Sequence, residues 1–180
     1  ERSATDCFFT WGWATEGSNT APAFNFKTSA SRLGEFDRTG GLLLIEDLVP
    51  HRIVPWDRYA EFGYYQNDQF SFVDALPLAI RQELTVRLHA SHILSKWSDA
   101  ERWRDFDGNV RMAGAGEKIH DLISRSRMIV YSYDSTGILE SLALNIPMVC
   151  FWHGGLDHIL PEAKPYYELL RGAGILLDSP

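Results

Sequence analysis

At 180 residues the chain has the length of one domain, or of one half of a two-domain enzyme. Its 45% hydrophobic and 13% aromatic content supplies a sizeable core and excludes a disordered chain. A net charge of −7 without any Lys/Arg run excludes a non-specific nucleic-acid binder, which needs a basic footprint.

No apolar run reaches the roughly 18–20 residues of a membrane span, and no signal-peptide pattern opens the chain. Cys7 and Cys150 lie far apart and make neither a metal pattern nor a disulfide framework. For Cys150, inside an apolar run, a reduced core thiol is expected, and a cytoplasmic location with it. The chain opens at Glu1 without a methionine and stops just after a strand-like run, Gly174 to Leu177. A piece truncated at both ends is therefore expected.

Residues 7–13, CFFTWGW, are apolar and aromatic, and a polar stretch rich in Gly, Ser, Thr and Ala follows to Gly41. Residues 1–41 are read as an aromatic lead-in and a long loop at a domain junction. The domain proper spans 42–180. Leu42 to Val49 is a continuous aliphatic run, as expected for a strand covered on both faces. A loop from Pro50 to Gln66 carries Arg52 and Arg58.

Asp68 to Gln82 has helical spacing, broken or kinked at Pro77. Leu84 to His89 predicts a strand, Asp99 to Phe106 a helix, Asn109 to Met112 a short strand and Gly116 to Ser126 a helix. Met128 to Tyr133 then predicts a strand, Asp134 to Gly137 a tight turn, Ile138 to Asn145 a helix, and Ile146 to Trp152 a strand. This is one βαβ unit, which closes right-handed in a parallel sheet. A helix from Pro161 to Arg171 and a last strand complete the pattern. Alternation of strand and helix predicts an α/β fold: an open, doubly wound, mostly parallel, Rossmann-like sheet.

The loop after the 128–133 strand opens onto a helix N-terminus, where free N–H groups and the dipole favour an anion. Ser135, Thr136 and Gly137 stand there. Two hydroxyls and a glycine that admits close backbone approach suit a phosphate, and a plain N-cap accounts for the same residues. Glu140 projects one turn later on the same face, placed either for a ribose diol or for the helix dipole. A capping box is excluded for it unless Gly137 is the cap.

Arg87 and His89 alternate along VRLH and so share one face at the strand's carboxyl end, as anion or sugar contacts or as surface residues. His89 and His92 lack a carboxylate or cysteine at ligand spacing, so no metal is expected. His153, Gly154, Asp157 and His158 follow the Trp152 strand and either shape a pocket, act as acid–base groups or form a solvated loop. Glu162 at the next helix start and Arg52 after the first strand are further pocket candidates. No G-x-S-x-G, G-x-G-x-x-G or G-x-x-x-x-G-K-[ST] occurs.

STGILESLALNIPMVCFW resembles the donor-site segment of two-domain (GT-B type) glycosyltransferases. With TWGW, VRLH, ALPxxIRxxL and PYYELLRGAGIL in the same order, the chain resembles the LIC12162-type family of bacterial surface-carbohydrate transferases from about Phe8 to Leu177. The resemblance implies half of a GT-B architecture that binds a nucleotide sugar as substrate, with no cofactor, in surface polysaccharide synthesis. Ser135, Thr136 and Gly137 would meet the donor phosphate, and Glu140 the ribose or the sugar. Arg87 and His89 match a strand-end K/R-x-H-P pair, with Ala90 in place of the proline. The acceptor site would lie in an N-terminal domain missing here, and the catalytic base remains unassigned. Peripheral association with membrane-bound polymer machinery is a further expectation. Other readings on the same scaffold are a sugar-nucleotide epimerase, a phospho-polyol transferase, or a non-catalytic nucleotide- or carbohydrate-binding module.

Overall fold

The computed structural model describes residues 4–10, 12–23, 35–47, 62–92, 97–114 and 116–180. In chain order the elements are β1 (Phe8–Thr10), β2 (Thr20–Pro22), β3 (Gly41–Ile45), α1 (Phe62–Ala75), α2 (Leu78–Arg81), β4 (Thr85–Arg87) and α3 (Asp99–Phe106). There follow β5 (Arg111–Met112), α4 (Ile119–Ser124), β6 (Ser126–Tyr131), α5 (Thr136–Ala143), β7 (Met148–Cys150) and α6 (Lys164–Gly172).

Five strands form one sheet in the order β5-β4-β3-β6-β7, and every pair in it is parallel. The chain winds outward from β3 to β5, returns to the centre at β6, and winds outward the other way to β7. Alternate side chains of the central strands therefore serve two cores. Leu42, Leu44 and Val130 pack with Val73, Trp103 and Phe151 on one face. Leu43, Ile45, Ile129 and Tyr131 pack with Leu122, Ile138 and Ile159 on the other. Burial on both faces explains why LLLI reads as an unbroken aliphatic run. The expected α/β, open, doubly wound Rossmann-like sheet is what the chain forms.

Several boundaries move. The polar stretch before Gly41 contains β2, which pairs parallel with β1 in a separate two-stranded sheet. Helix α1 begins at Phe62, inside the expected Pro50–Gln66 loop; two of its inward positions are Gln66 and Gln69, so its first turns carry no apolar spacing. Pro77 divides the next segment into two helices and serves as the N-cap of α2. Of the expected 116–126 helix only Ile119–Ser124 forms. The Glu117 carboxylate accepts from the Gly114 N–H at 2.6 Å and makes a turn ahead of it.

Strand β6 starts two residues early because buried Ser126 satisfies its hydroxyl on the Leu122 carbonyl, at 2.8 Å. It consequently releases Ser132 and Tyr133 into the following turn. Beyond α6 the last strand reduces to a single parallel bridge, Leu176 beside Cys150. Helix α5 ends on Asn145, at φ 54°, with Ile146 N–H on the Ser141 carbonyl (2.9 Å) and Asn145 N–H on that of Leu142 (3.1 Å). This is a Schellman turn, which aims the chain back into β7.

At the start of β3 a Cβ on Gly41 would lie 1.9 Å from the Glu83 carbonyl oxygen. Only a residue without a side chain lets the chain entering β4 pass so close. No helix among the described residues is long and apolar enough to cross a membrane.

Candidate functional site

In an open parallel sheet, ligands bind beyond the carboxyl ends of the strands where the winding reverses. Here that point lies between β3 and β6. The chain leaving β3 brings Glu46 and Asp47 there, and the chain leaving β6 brings Ser132, Tyr133, Asp134 and Ser135.

Ser135 is the N-cap of α5, with extended backbone, and its Oγ accepts from the Gly137 N–H at 3.1 Å. One orphan N–H of the first turn is thus satisfied internally, and Thr136 stands exposed beside it. Gly137 has a packing reason of its own: a Cβ there would come 2.8 Å from Tyr131 Cε1. Tyr131 lies beneath that turn, its OH 3.0 Å from Ser141 Oγ. Glu140, half-buried one turn along, is close enough to add to the upward push that burial gives the Tyr131 phenol.

Arg87 ends β4, half-buried. The Tyr133 hydroxyl shows what converges around it. Burial pushes that phenol up to about 12, the Asp47 carboxylate adds to the rise, and Ser135 and the Arg87 charge oppose it. Tyr133 accordingly stays a neutral O–H donor with Asp47, Ser135 and Arg87 about it. His89 does not share a strand face with Arg87 as expected, because β4 stops at Arg87. It sits instead in a turn, its Nδ1 accepting from the Ser91 N–H at 3.1 Å and its carbonyl accepting from the His92 N–H at 2.8 Å.

The loop after β7 reaches over to α1. His153 stacks on Tyr64, with centroids 4.5 Å apart, and its Nδ1 lies 3.9 Å from Asp68 Oδ2. Gly154 follows at φ 79°, and Trp152 Nε1 donates to the Gly155 carbonyl at 2.6 Å. Glu162 is exposed on the turn before α6. Arg52 and Arg58 lie outside the described residues. Among those described, no group of three His, Cys, Asp or Glu side chains is arranged to hold a metal ion.

Glu46, Asp47 and Tyr133 were not among the expected site residues. Glu46 is 5% exposed, and its Oε1 accepts from Trp103 Nε1 at 2.6 Å. Burial, with the Asp99 charge adding, raises its carboxyl to about 8 against the pull of the Trp103 hydrogen bond. Beside it Tyr65 OH accepts from the Asp47 N–H at 2.8 Å, and Gln69 Nε2 donates to Ser132 Oγ at 2.8 Å. These bonds tie α1 to the ends of both central strands. The signal in the sequence was the Glu46–Asp47 pair interrupting LLLIEDLV, since carboxylates are seldom buried without partners.

A separate groove of about 390 Å³ lies at the amino edge of the sheet, between Met128, Ile146, Pro147 and the turn at Gly174 and Ile175. It is remote from the residues gathered above. What the carboxyl edge offers is a capped helix N-terminus, a strand-end guanidinium and a neutral phenol, a combination suited to an anionic, hydroxyl-bearing ligand. Residues 1–180 match the family described as LIC12162 family transferase. No curated protein and no solved structure matches the chain.

Proposed function

The chain belongs to the LIC12162 family of transferases, and on that premise we propose that it is the donor-binding part of a glycosyltransferase in bacterial surface polysaccharide synthesis. The observation that carries this reading is the reversal of winding between β3 and β6, with the Ser135-capped start of α5 at its carboxyl edge. In this reading the donor is a nucleotide sugar. Ser135, Thr136 and Gly137 meet its phosphate, Glu140 accepts from a ribose or sugar hydroxyl, and His89 flanks Arg87.

In the transfer step the bond from the anomeric carbon to the donor phosphate oxygen breaks and the acceptor oxygen takes its place. Negative charge gathers on the departing phosphate, opposite Arg87 and the α5 N–H groups. Preorganised charge of this kind is commonly the largest catalytic contribution. The acceptor site and the base that receives its proton belong to a preceding domain in this proposal.

Calorimetry with nucleoside mono- and diphosphates tests the assignment. Arg87→Ala and Glu140→Ala should each weaken nucleotide binding about tenfold or more, equivalent to about 1.4 kcal/mol, without lowering the melting temperature of the free protein. Unchanged affinity in both variants would remove the site. A thermal-shift panel identifies the nucleotide, since a ligand at about 100 times its Kd adds about 2.7 kcal/mol. Product analysis with labelled donors separates glycosyl transfer from transfer of a phospho-polyol on the same scaffold.

A further inference from the structure

We propose that Tyr64 and His153 form a stacking platform for the nucleobase of the donor. The proposal rests on the donor-site reading above and supplies the part of the ligand that reading leaves without a partner.

Tyr64 lies in the first turn of α1, and His153 in the loop after β7. Their rings stack with centroids 4.5 Å apart and planes 7° from parallel. Asp68, one turn along α1 and so on the same side of the helix, sets its Oδ2 3.9 Å from the imidazole Nδ1. The loop behind His153 is braced by the bond from Trp152 Nε1 to the Gly155 carbonyl, at 2.6 Å. With one ring face against the imidazole, Tyr64 is still 58% exposed.

Position decides what such a surface can meet. The start of α1 is tied to the end of β3, where the Tyr65 hydroxyl accepts from the Asp47 N–H at 2.8 Å. His153 lies just beyond the end of β7, whose Cys150 is level with Tyr131 of β6. Strand β6 stands between β3 and β7 in the sheet, so the Tyr64–His153 contact reaches across the end of β6. The turn that carries Ser135 leaves that same strand end, and neighbouring strands are only about 4.8 Å apart. Helix α1 covers the sheet face opposite α5: Val73 of α1 and Ile138 of α5 belong to different cores. A ligand whose phosphate lies at the start of α5 therefore has the platform on the other side of the crevice.

In a nucleotide the pentose separates base from phosphate, so the base is the part that reaches furthest from the α5 N–H groups. Every base has a π-face, and an aromatic ring accepts any of them. Because the imidazole already holds the tyrosine ring, little rotamer freedom remains to be lost on binding. The bland role for the same two rings is to pin the loop after β7 onto α1.

Titration calorimetry and proton NMR of the full chain with UDP, CDP and GDP separate these roles. For whichever nucleotide binds the wild type most tightly, Tyr64→Ala should weaken binding about tenfold. Tyr64→Phe, which keeps the ring, should hold wild-type affinity. The base protons of the bound nucleotide should move upfield in the wild type, under the ring current of Tyr64, and that shift should vanish in Tyr64→Ala. Inorganic pyrophosphate has no base and should bind Tyr64→Ala as it binds the wild type. Unchanged nucleotide affinity in Tyr64→Ala overturns the proposal, as does a Tyr64→Phe variant as weak as Tyr64→Ala. So do base protons that stay in place in the wild type, or an equal loss of pyrophosphate and nucleotide in Tyr64→Ala. Each of those results leaves the donor site standing as long as Arg87→Ala weakens binding. Failure of all three nucleotides to bind the wild-type protein would remove both.

Discussion

A methyl group on Gly137 would press into the Tyr131 ring, so packing alone demands a residue without a side chain there. The phosphate reading therefore draws its support from the company Gly137 keeps: the Ser135 cap, the Arg87 guanidinium and the neutral Tyr133 hydroxyl. Glu46 makes the sharpest claim of any single side chain. Its folded-state carboxyl is raised from 4.5 to about 8, with burial the leading cause. Between those values the folded protein holds a proton on Glu46 that the unfolded chain has released. Stability from this group is therefore fully present below about pH 4.5 and is lost as pH rises through about 8, at roughly 1.4 kcal/mol per pH unit. Glu46→Gln keeps an acceptor for Trp103 Nε1 and removes the titration. Urea unfolding at pH 6 and 8 should show the variant losing less stability than the wild type over that interval. Equal losses would mean that Glu46 is charged in the folded protein.

Helix α5 shows how a short element is made to start and stop in place. Ser135 satisfies the Gly137 N–H at one end, and Asn145 turns the chain at the other. Ile138 and Ser141 are buried between them. Ser135→Ala should cost about 1 kcal/mol, typical of a lost N-cap. It should appear as a lower urea midpoint at unchanged m-value, and an unchanged midpoint would show that Ser135 contributes nothing to the helix.

This βαβ unit was the most legible part of the sequence. Its strands are apolar and buried on both faces, and Asp134 to Gly137 announces a turn. Less legible was anything that depended on tertiary pairing. Helix α1 turns Gln66 and Gln69 inward, which breaks the apolar rhythm. Ser126 enters a buried strand only because a helix carbonyl lies within reach. The strand β2 has no hydrophobic signature and forms against β1. The same limit applied to the site. Ser135, Gly137, Glu140 and Arg87 could be named from position along the chain. Tyr133 was hidden by a strand boundary placed two residues late, and Asp134, which meets His158 Nε2 at 3.3 Å and accepts from the Tyr167 OH at 2.9 Å, joins positions that no spacing rule connects.

Taken together, the two cores and the parallel order β5-β4-β3-β6-β7 form one device for exposing a single working edge. Helices α1 to α3 cover one face and α4 to α6 the other. The turns after β3, β4, β6 and β7 therefore emerge side by side. Family membership says that the chemistry is a transfer. The proposed donor site occupies this edge, while the amino edge holds turns that reverse helices into strands. Substitutions at Arg87 and Glu140 should accordingly change binding more than stability. For those at Gly41 or Asn145 the order should be the opposite.

Parallel pairing also sets the pace at which this protein can assemble. No two adjacent strands of the five-stranded sheet are joined by a hairpin, and Gly41 waits for Ser126, about 85 positions later. Long-range closures of this kind come before any reward in contacts, so stopped-flow refolding should take milliseconds to seconds rather than the microseconds of helical bundles. On a ribosome adding about 5–20 residues per second, one side of the central strand would stay open for roughly 4–17 s until β6 appears, β4 having paired on the other side earlier. A nascent LLLI segment open on one side for that interval is an invitation to aggregation, and high-yield expression should respond to added chaperone.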